Sequence, residues 1–537
     1  MPIAMFMFTL INLIFLLKWR ICCSSAPSVK FGTLVWNTQT PETVTIEGIF
    51  QYCRGIPVDS FLGIPYAEPP LNNFRFKNPM PHKGWRGTLK AKEMPPSCPQ
   101  SRGNFSNPFS QFNISSGPMS EDCLYLNIWK PTFLEEELPV VVLIHGGGFQ
   151  SGSSSLPENI GKCLANDANV IVVSLNYRLG VFGFLKLDSY EAPGNMGLLD
   201  QQLALRWINA NINKFKGNPS QITLVGNDAG AASIGYHLLS RHSGALFRRA
   251  FMSGGSPLSP WAFINIDKLK KLGEKFLTAA NCNEGTLRVQ MRCLKGLSST
   301  TLVNLQSEFL TLSENGFVPT IDGGFIDDKP FTLLNRGLFK KTELMTGVTN
   351  DEGSLFLKST LFNHQQISMA HFEKILTVLF PRTPEIVREY IKFTYTEWLH
   401  AANNTIRKRS LIDMIGDFNF KCPIVDFSLS FAKYMNNVYL YSFHNTSNAY
   451  HGSDYKMIVS KNLLTNPFKE LVWNFIKTGN PNKNNTIWPQ WRSKEKRMMV
   501  VGNSLNYKTG PNINNCAFWR ELYQSLQKHY KDYKLCR

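Results

Sequence analysis

The chain has 537 residues, 43% of them hydrophobic and 12% aromatic, which is enough to bury a large core, and no repeat or low-complexity run argues for disorder. Its formal charge is +18, from 57 Lys and Arg against 39 Asp and Glu. The basic residues are scattered, with short clusters at 268–275, 492–497 and 528–534. That pattern implies a solvated basic surface with at most weak attraction to acidic polysaccharide or lipid headgroups, and no nucleic-acid motif accompanies it.

Residues 1–17 form an apolar run, and Cys22, Cys23, Ser24, Ser25 and Ala26 follow shortly after, so residues 1–26 read as a secretory signal peptide. Lys18 and Arg20 follow the run instead of preceding it, which leaves an uncleaved signal anchor open. No second long apolar segment occurs, and no Pro/Ser-rich linker splits residues 27–537, which are expected to form one soluble, secreted domain. Between residues 29 and 67, short β-rich runs suggest hairpins. Residues 139–155, PVVVLIHGGGFQSGSSS, read as a strand buried on both faces that ends in a glycine loop. Residues 170–184 supply another buried strand, and residues 194–207 carry Leu199, Leu203 and Trp207 at helical spacing.

Residues 221–236, QITLVGNDAGAASIGY, are a short apolar run, a tight turn bracketed by Gly226 and Gly230, and a helix of small residues. Strand, sharp turn and helix in this order form a nucleophile elbow, whose usual pattern is G-x-S-x-G. Here the central position is Asp228. Gly-Asn-Asp alone is ordinary turn chemistry, so the flanking sequence has to decide its meaning.

The flanks resemble the type-B carboxylesterase family, which includes cholinesterases. The resemblance runs through FLGIPYAEPP at 61–70 with Arg75 and Phe76, SEDCLYLNIW at 120–129, the glycine loop, FRRAFMSGGSPLSPW at 247–261, GVTNDEGSLF at 347–356, YHGSD at 450–454 and the closing segments at 473–491. It implies an α/β fold of the α/β-hydrolase type: a mostly parallel central sheet flanked by helices, with a small N-terminal antiparallel sheet. It also implies ion pairs Arg75–Glu121 and Arg178–Asp200, and disulfides Cys98–Cys123, Cys282–Cys293 and Cys422–Cys516. Cys53, Cys163 and Cys536 are left over, with Cys536 placed to bridge chains. By the same resemblance, Glu352 is the acid and His451 the histidine of a triad, while Gly147, Gly148 and Ala229 donate to an oxyanion hole. Gly254 falls where many relatives have a serine that supports the acid. Sequons at Asn104, Asn113, Asn403, Asn445 and Asn484 agree with secretion. No metal or cofactor is implied.

Asp228 changes what this constellation can do. A serine esterase needs a hydroxyl whose proton the histidine removes, and an aspartate attacking an ester would form a mixed anhydride, a better leaving state than the ester itself. Ordinary ester hydrolysis is therefore expected to collapse, leaving a fold that binds an apolar or ester-like small molecule or a partner. The alternative is a hydrolase of carboxylic esters, epoxides or alkyl halides with Asp228 as nucleophile. Acetylcholine hydrolysis is not expected: Asn113 sits about where cholinesterases keep a cation-binding tryptophan, and the net charge repels cations. At a helix N-terminus beside three N–H groups, Asp228 is expected to stay ionised and to hold His451 protonated between two carboxylates.

Overall fold

The apolar runs fold into one twisted sheet in the computed structural model, which describes residues 26–31, 44–101, 117–310, 316–354, 366–434, 437–444, 449–460, 466–483, 487–492, 494–510 and 514–522. In chain order the strands are β1 Ser28–Phe31, β2 Val44–Glu47, β3 Ile49–Cys53, β4 Ile56–Pro65, β5 Thr88–Lys90, β6 Tyr125–Pro131, β7 Leu138–Ile144 and β8 Ile171–Leu175. They continue as β9 Gly217–Asn227, β10 Arg249–Ser253, β11 Leu344–Thr349, β12 Val438–Phe443, β13 Arg497–Val501 and β14 Leu505–Thr509. Eleven of them form the main sheet in the order β14-β13-β12-β11-β10-β9-β7-β8-β6-β4-β3. Its middle, from β13 through β8, is parallel throughout, while β3, β4, β6 and β14 run antiparallel to their neighbours.

The parallel middle explains the uniform apolar runs. Alternate residues of β7 feed two separate cores, with Val140, Val142 and Ile144 on one face and Val141 and Leu143 on the other. The helix Met196–Asn211 buries Leu203 and Trp207 against the first core, as its spacing predicts.

The small N-terminal sheet departs from expectation. It has three strands, and although β1 and β2 are antiparallel, β5 lies parallel to β2, so the sheet is mixed. The chain makes the β3–β4 hairpin in the main sheet before β5 returns, and that excursion sets the direction of β5.

Arg75 and Glu121 pair as implied, as do Arg178 and Asp200. All three implied disulfides are present, and a fourth joins Cys53 at the end of β3 to Cys163 in the helix Lys162–Ala168. Nothing in the sequence pairs these two cysteines; only the packing of that helix on the hairpin brings their Cα atoms to 5.1 Å. Four disulfides suit an oxidising, extracellular setting. Among the described residues no helix is long and apolar enough to cross a membrane. The leader, Cys22, Cys23, Cys536 and the sequons at Asn104, Asn113, Asn445 and Asn484 lie outside the described residues. Asn403 is exposed and caps the helix Asn404–Gly416 through its Oδ1.

Candidate active site

Strand β9 ends at Asn227 and the helix Ala229–Leu239 begins two residues later, so Asp228 must turn the chain alone. It does so at φ 52° and ψ −122°, a conformation that typically costs a non-glycine residue about 1–3 kcal/mol. The surroundings hold it there. The Asp228 N–H donates to the Ser253 carbonyl at 2.9 Å, and the Asp228 carbonyl accepts from the Ala232 N–H at 2.9 Å. The flanking glycines are required by contact: a Cβ on Gly230 would sit 2.0 Å from the Ile144 carbonyl oxygen, and one on Gly226 would sit 2.7 Å from the carbonyl carbon of Gly230.

The loop after β7 closes over the elbow. Gly147 and Gly148 have φ of 115° and 58°, which an L side chain rarely adopts, and both turn their N–H groups inward. These N–H groups donate to one oxygen of Asp228, Oδ2, at 2.7 and 2.8 Å. The Ala229 N–H, next in the chain, also favours the ionised Asp228 carboxylate. His145, which begins the glycine run, is buried and stacked on Tyr177, and burial pushes its pKa down to about 4. It anchors the loop as a neutral ring.

His451 reaches the same point from the chain that follows β12, beside the turn that carries Glu352. It stands in a turn before the helix Ser453–Val459, where Gly452 takes the left-handed conformation with φ 76°. Its Nδ1 lies 2.5 Å from Glu352 Oε2, and its Nε2 lies 3.6 Å from Asp228 Oδ1, an ion pair just beyond hydrogen-bond length. Glu352 follows β11 directly, is fully buried, and accepts from the Thr349 N–H at 2.7 Å through its other oxygen. Sheet topology thus brings together every residue that the motifs single out: Asp228, Glu352, His451, Gly147, Gly148 and Ala229.

The electrostatics follow from two carboxylates flanking one imidazole out of water. Burial on its own pushes the His451 pKa down, but the charges of Glu352 and Asp228, with the hydrogen bond to Glu352, outweigh it and hold it up at about 10. Burial likewise pushes the Asp228 carboxyl up, and His451 with the N–H groups of Ala229 and Gly147 more than reverses this, so its pKa is lowered. At neutral pH the site therefore holds Asp228 as a carboxylate beside a protonated His451.

Three further residues shape the site, and of these only Gly254 stands out in the sequence. Phe420 lies in a π-helical turn, Asp417–Lys421, and packs its ring against His451 at a centroid distance of 4.6 Å. Asp454 accepts from Ser253 Oγ and Tyr441 Oη, both at 2.7 Å, and ties the histidine turn to β10 and β12. Burial and the nearby Glu352 raise its pKa. Gly254, at φ 58°, leaves room that a Cβ would take away, since that atom would meet His451 Cε1 at 3.0 Å and Glu352 Oε1 at 3.6 Å. The YHGSD segment contains Asp454, but nothing in one sequence separates its role from that of an ordinary helix-capping aspartate.

The carboxylesterase family profile matches residues 35–519. The chain is 36% identical to an acetylcholinesterase of Bungarus fasciatus, over 95% of this chain and 90% of that protein. It is 35% identical to a cholinesterase of Mus musculus, over 91% and 87% of the two chains. An acetylcholinesterase of Electrophorus electricus is also 35% identical, over 87% and 85%. The chain belongs to the carboxylesterase family. Membership accounts for the α/β-hydrolase sheet. At the elbow itself, Asp228 has no proton to give at neutral pH, and one of its oxygens fills the space where backbone donors converge.

Proposed function

We propose that this is a secreted carboxylesterase-family protein in which Asp228 replaces the nucleophilic serine, ordinary ester hydrolysis is suppressed, and the fold is retained to bind an apolar or ester-like small molecule or a partner. The observation that carries this reading is the pair of hydrogen bonds from Gly147 and Gly148 to Asp228 Oδ2. In acyl transfer those donors stabilise the oxygen of the tetrahedral intermediate. With a carboxylate already bound to them, an incoming ester carbonyl finds no free donors, no hydroxyl to attack it, and a histidine too basic to serve as acceptor near pH 7. Secretion is supported by the apolar leader, the four disulfides and the exposed sequon at Asn403.

A second reading is favoured by the same carboxylate. Asp228 Oδ2 is fixed by backbone donors while Oδ1 faces His451, an arrangement suited to attack on a saturated carbon of an epoxide or alkyl halide. The new C–O bond would form at a carboxylate oxygen as the epoxide C–O or carbon–halogen bond breaks. Esterification would remove the charge on Asp228, lower the basicity of His451 and let it activate water for release of the alcohol.

Purified wild type and an Asp228→Ser variant, each assayed on an aryl acetate, a fluorogenic epoxide and an organophosphate label, separate the readings. Suppressed esterase chemistry predicts no turnover and no labelling in wild type, with both gained in the variant. Normal acetate turnover by wild type would refute it, and epoxide opening by wild type would establish the second reading.

A further inference from the structure

The elbow carboxylate leaves one acceptor unused. Asp228 is 4% exposed, and while its Oδ2 takes the N–H groups of Gly147 and Gly148, its Oδ1 accepts no hydrogen bond from any described residue. Oδ1 lies 3.6 Å from Nε2 of His451, an ion pair too long to be a hydrogen bond. The surroundings are apolar. The Phe420 ring packs against His451 at 4.6 Å, Trp261 against Phe420 at 5.9 Å and Phe149 against Trp261 at 6.3 Å, so a run of aromatic rings leads from the histidine back to the glycine loop. A polar group left without a partner in such a place is costly, so a ligand group that enters here is selected by the hydrogen bonds it completes.

We propose that the gap between Asp228 Oδ1 and His451 Nε2 binds the hydroxyl group of an apolar alcohol. The inference rests on the suppressed-esterase reading above and narrows its ligand to one class. A hydroxyl both donates and accepts from a single atom. An oxygen about 2.7 Å from Oδ1 and about 2.9 Å from Nε2 completes a triangle over the 3.6 Å edge, giving its own hydrogen to the carboxylate and taking the ring N–H on a lone pair. Other groups fail on one side. An ester carbonyl only accepts, so it leaves Oδ1 facing a lone pair, and the backbone donors that would otherwise hold it are taken by Oδ2. A carboxylate would bring a third anion to a buried cluster that already contains Asp228 and Glu352. An ammonium would satisfy Oδ1 but lie against the protonated ring of His451. Water offers the same donor and acceptor, and an alcohol exceeds it by the apolar chain it lays on the aromatic rings. An esterase elbow presents donors to a carbonyl, whereas this one presents an acceptor, so the carboxylate reverses the polarity of the ligand group that the site selects.

Isothermal titration calorimetry of the full-length protein with octanol, octyl acetate, octanoate and octylamine tests this, since the four probes share an apolar chain and differ in one group. Octanol is expected to bind at least about tenfold more tightly than each of the others, the discrimination that one unmade buried hydrogen bond produces. Asp228→Ala removes the acceptor and frees the N–H groups of Gly147 and Gly148, so octanol should lose at least about tenfold in affinity while octyl acetate gains. The wild-type ranking stands as a test even where the variant does not fold. Octyl acetate bound intact as tightly as octanol, no saturable binding of octanol, or a ranking unchanged in Asp228→Ala would each overturn the alcohol site and leave the suppressed-esterase reading standing. Release of free octanol from octyl acetate by wild type, followed by gas chromatography, would overturn both.

Discussion

Two buried clusters of opposite charge lie in this molecule, and they put the same interaction to different ends. Arg178 grips Asp200 through two guanidinium N–H groups at 2.6 and 2.8 Å, and the Arg178 backbone N–H donates to the same carboxylate at 3.0 Å. A further guanidinium N–H reaches the Lys77 carbonyl. The pair is bidentate, the geometry an arginine fork offers a carboxylate. His451 lies instead between Asp228 and Glu352, 3.6 and 2.5 Å away, and imidazole is the one ordinary side chain whose charge is easily removed. The first cluster holds loops and helices together; the second fixes the protonation state of an imidazole. Burial alone therefore does not make a charge pair structural or functional. What distinguishes the two is whether a proton can leave.

The largest effect expected from breaking this contrast is chemical. Asp228→Ser removes the carboxylate from the hole and supplies a hydroxyl beside His451. Aryl acetate turnover should then rise by at least about a thousandfold, within the roughly millionfold range that separates an intact triad from one lacking its nucleophile. Steady-state kinetics and organophosphate labelling of the purified variant check this directly.

Next comes stability at the structural pair. Arg178→Ala leaves Asp200 charged and buried, and should destabilise the fold by about 3–5 kcal/mol without altering the ionisation of His451. Urea denaturation midpoints together with histidine NMR on the surviving folded fraction distinguish a local from a general effect.

Within the second cluster, the pH dependence of His451 and of Asp228 should differ in sign and range. His451 is held above the ordinary histidine value of 6.5, at about 10, so its contribution to stability is fully present below pH 6.5 and is lost as pH rises through about 10. Asp228 is held below 3.8, so its contribution is present above that pH and is lost as pH falls through its folded-state value. Unfolding free energies measured from pH 5 to 11 should therefore decline on the alkaline side, and a His451→Gln variant should flatten that decline. Imidazole titration by NMR with a midpoint near 6.5 would contradict the ion-paired state.

The smallest effect is expected at Gly254. Gly254→Ala places a methyl group 3.0 Å from His451 Cε1 at a left-handed φ and should cost about 1–2 kcal/mol. It should also move the His451 midpoint, because the ring must shift relative to Glu352. An unchanged midpoint would show that Gly254 serves the backbone alone.

Much of the site is legible in the chain because its chemistry depends on local turns. The glycines around Asp228 and the run from Gly146 to Gly148 announce close backbone approach, and they do so wherever the rest of the chain goes. Asp454 and Phe420 are not legible in that way. Their roles arise from partners far along the chain, Ser253 for the first and His451 for the second, and from a π-helical turn that no residue pattern marks. The Cys53–Cys163 bridge likewise spans a separation of 110 residues. The mixed pairing of the small N-terminal sheet, expected to be antiparallel, has a related cause: strand direction in a small sheet depends on the path between strands, and the strand residues do not encode it.

The amino-acid sequence by itself determined that a carboxylate stands at the elbow, that glycines surround it, and that an acid and a histidine follow in the order the fold needs. Only the tertiary structure decided which oxygen of Asp228 meets the backbone donors, and that His451 lies close enough to both carboxylates to keep its proton. The reason is range. Turn conformation is fixed by a few neighbouring side chains, whereas a proton's affinity depends on distances of a few ångströms between groups that only the folded sheet brings together.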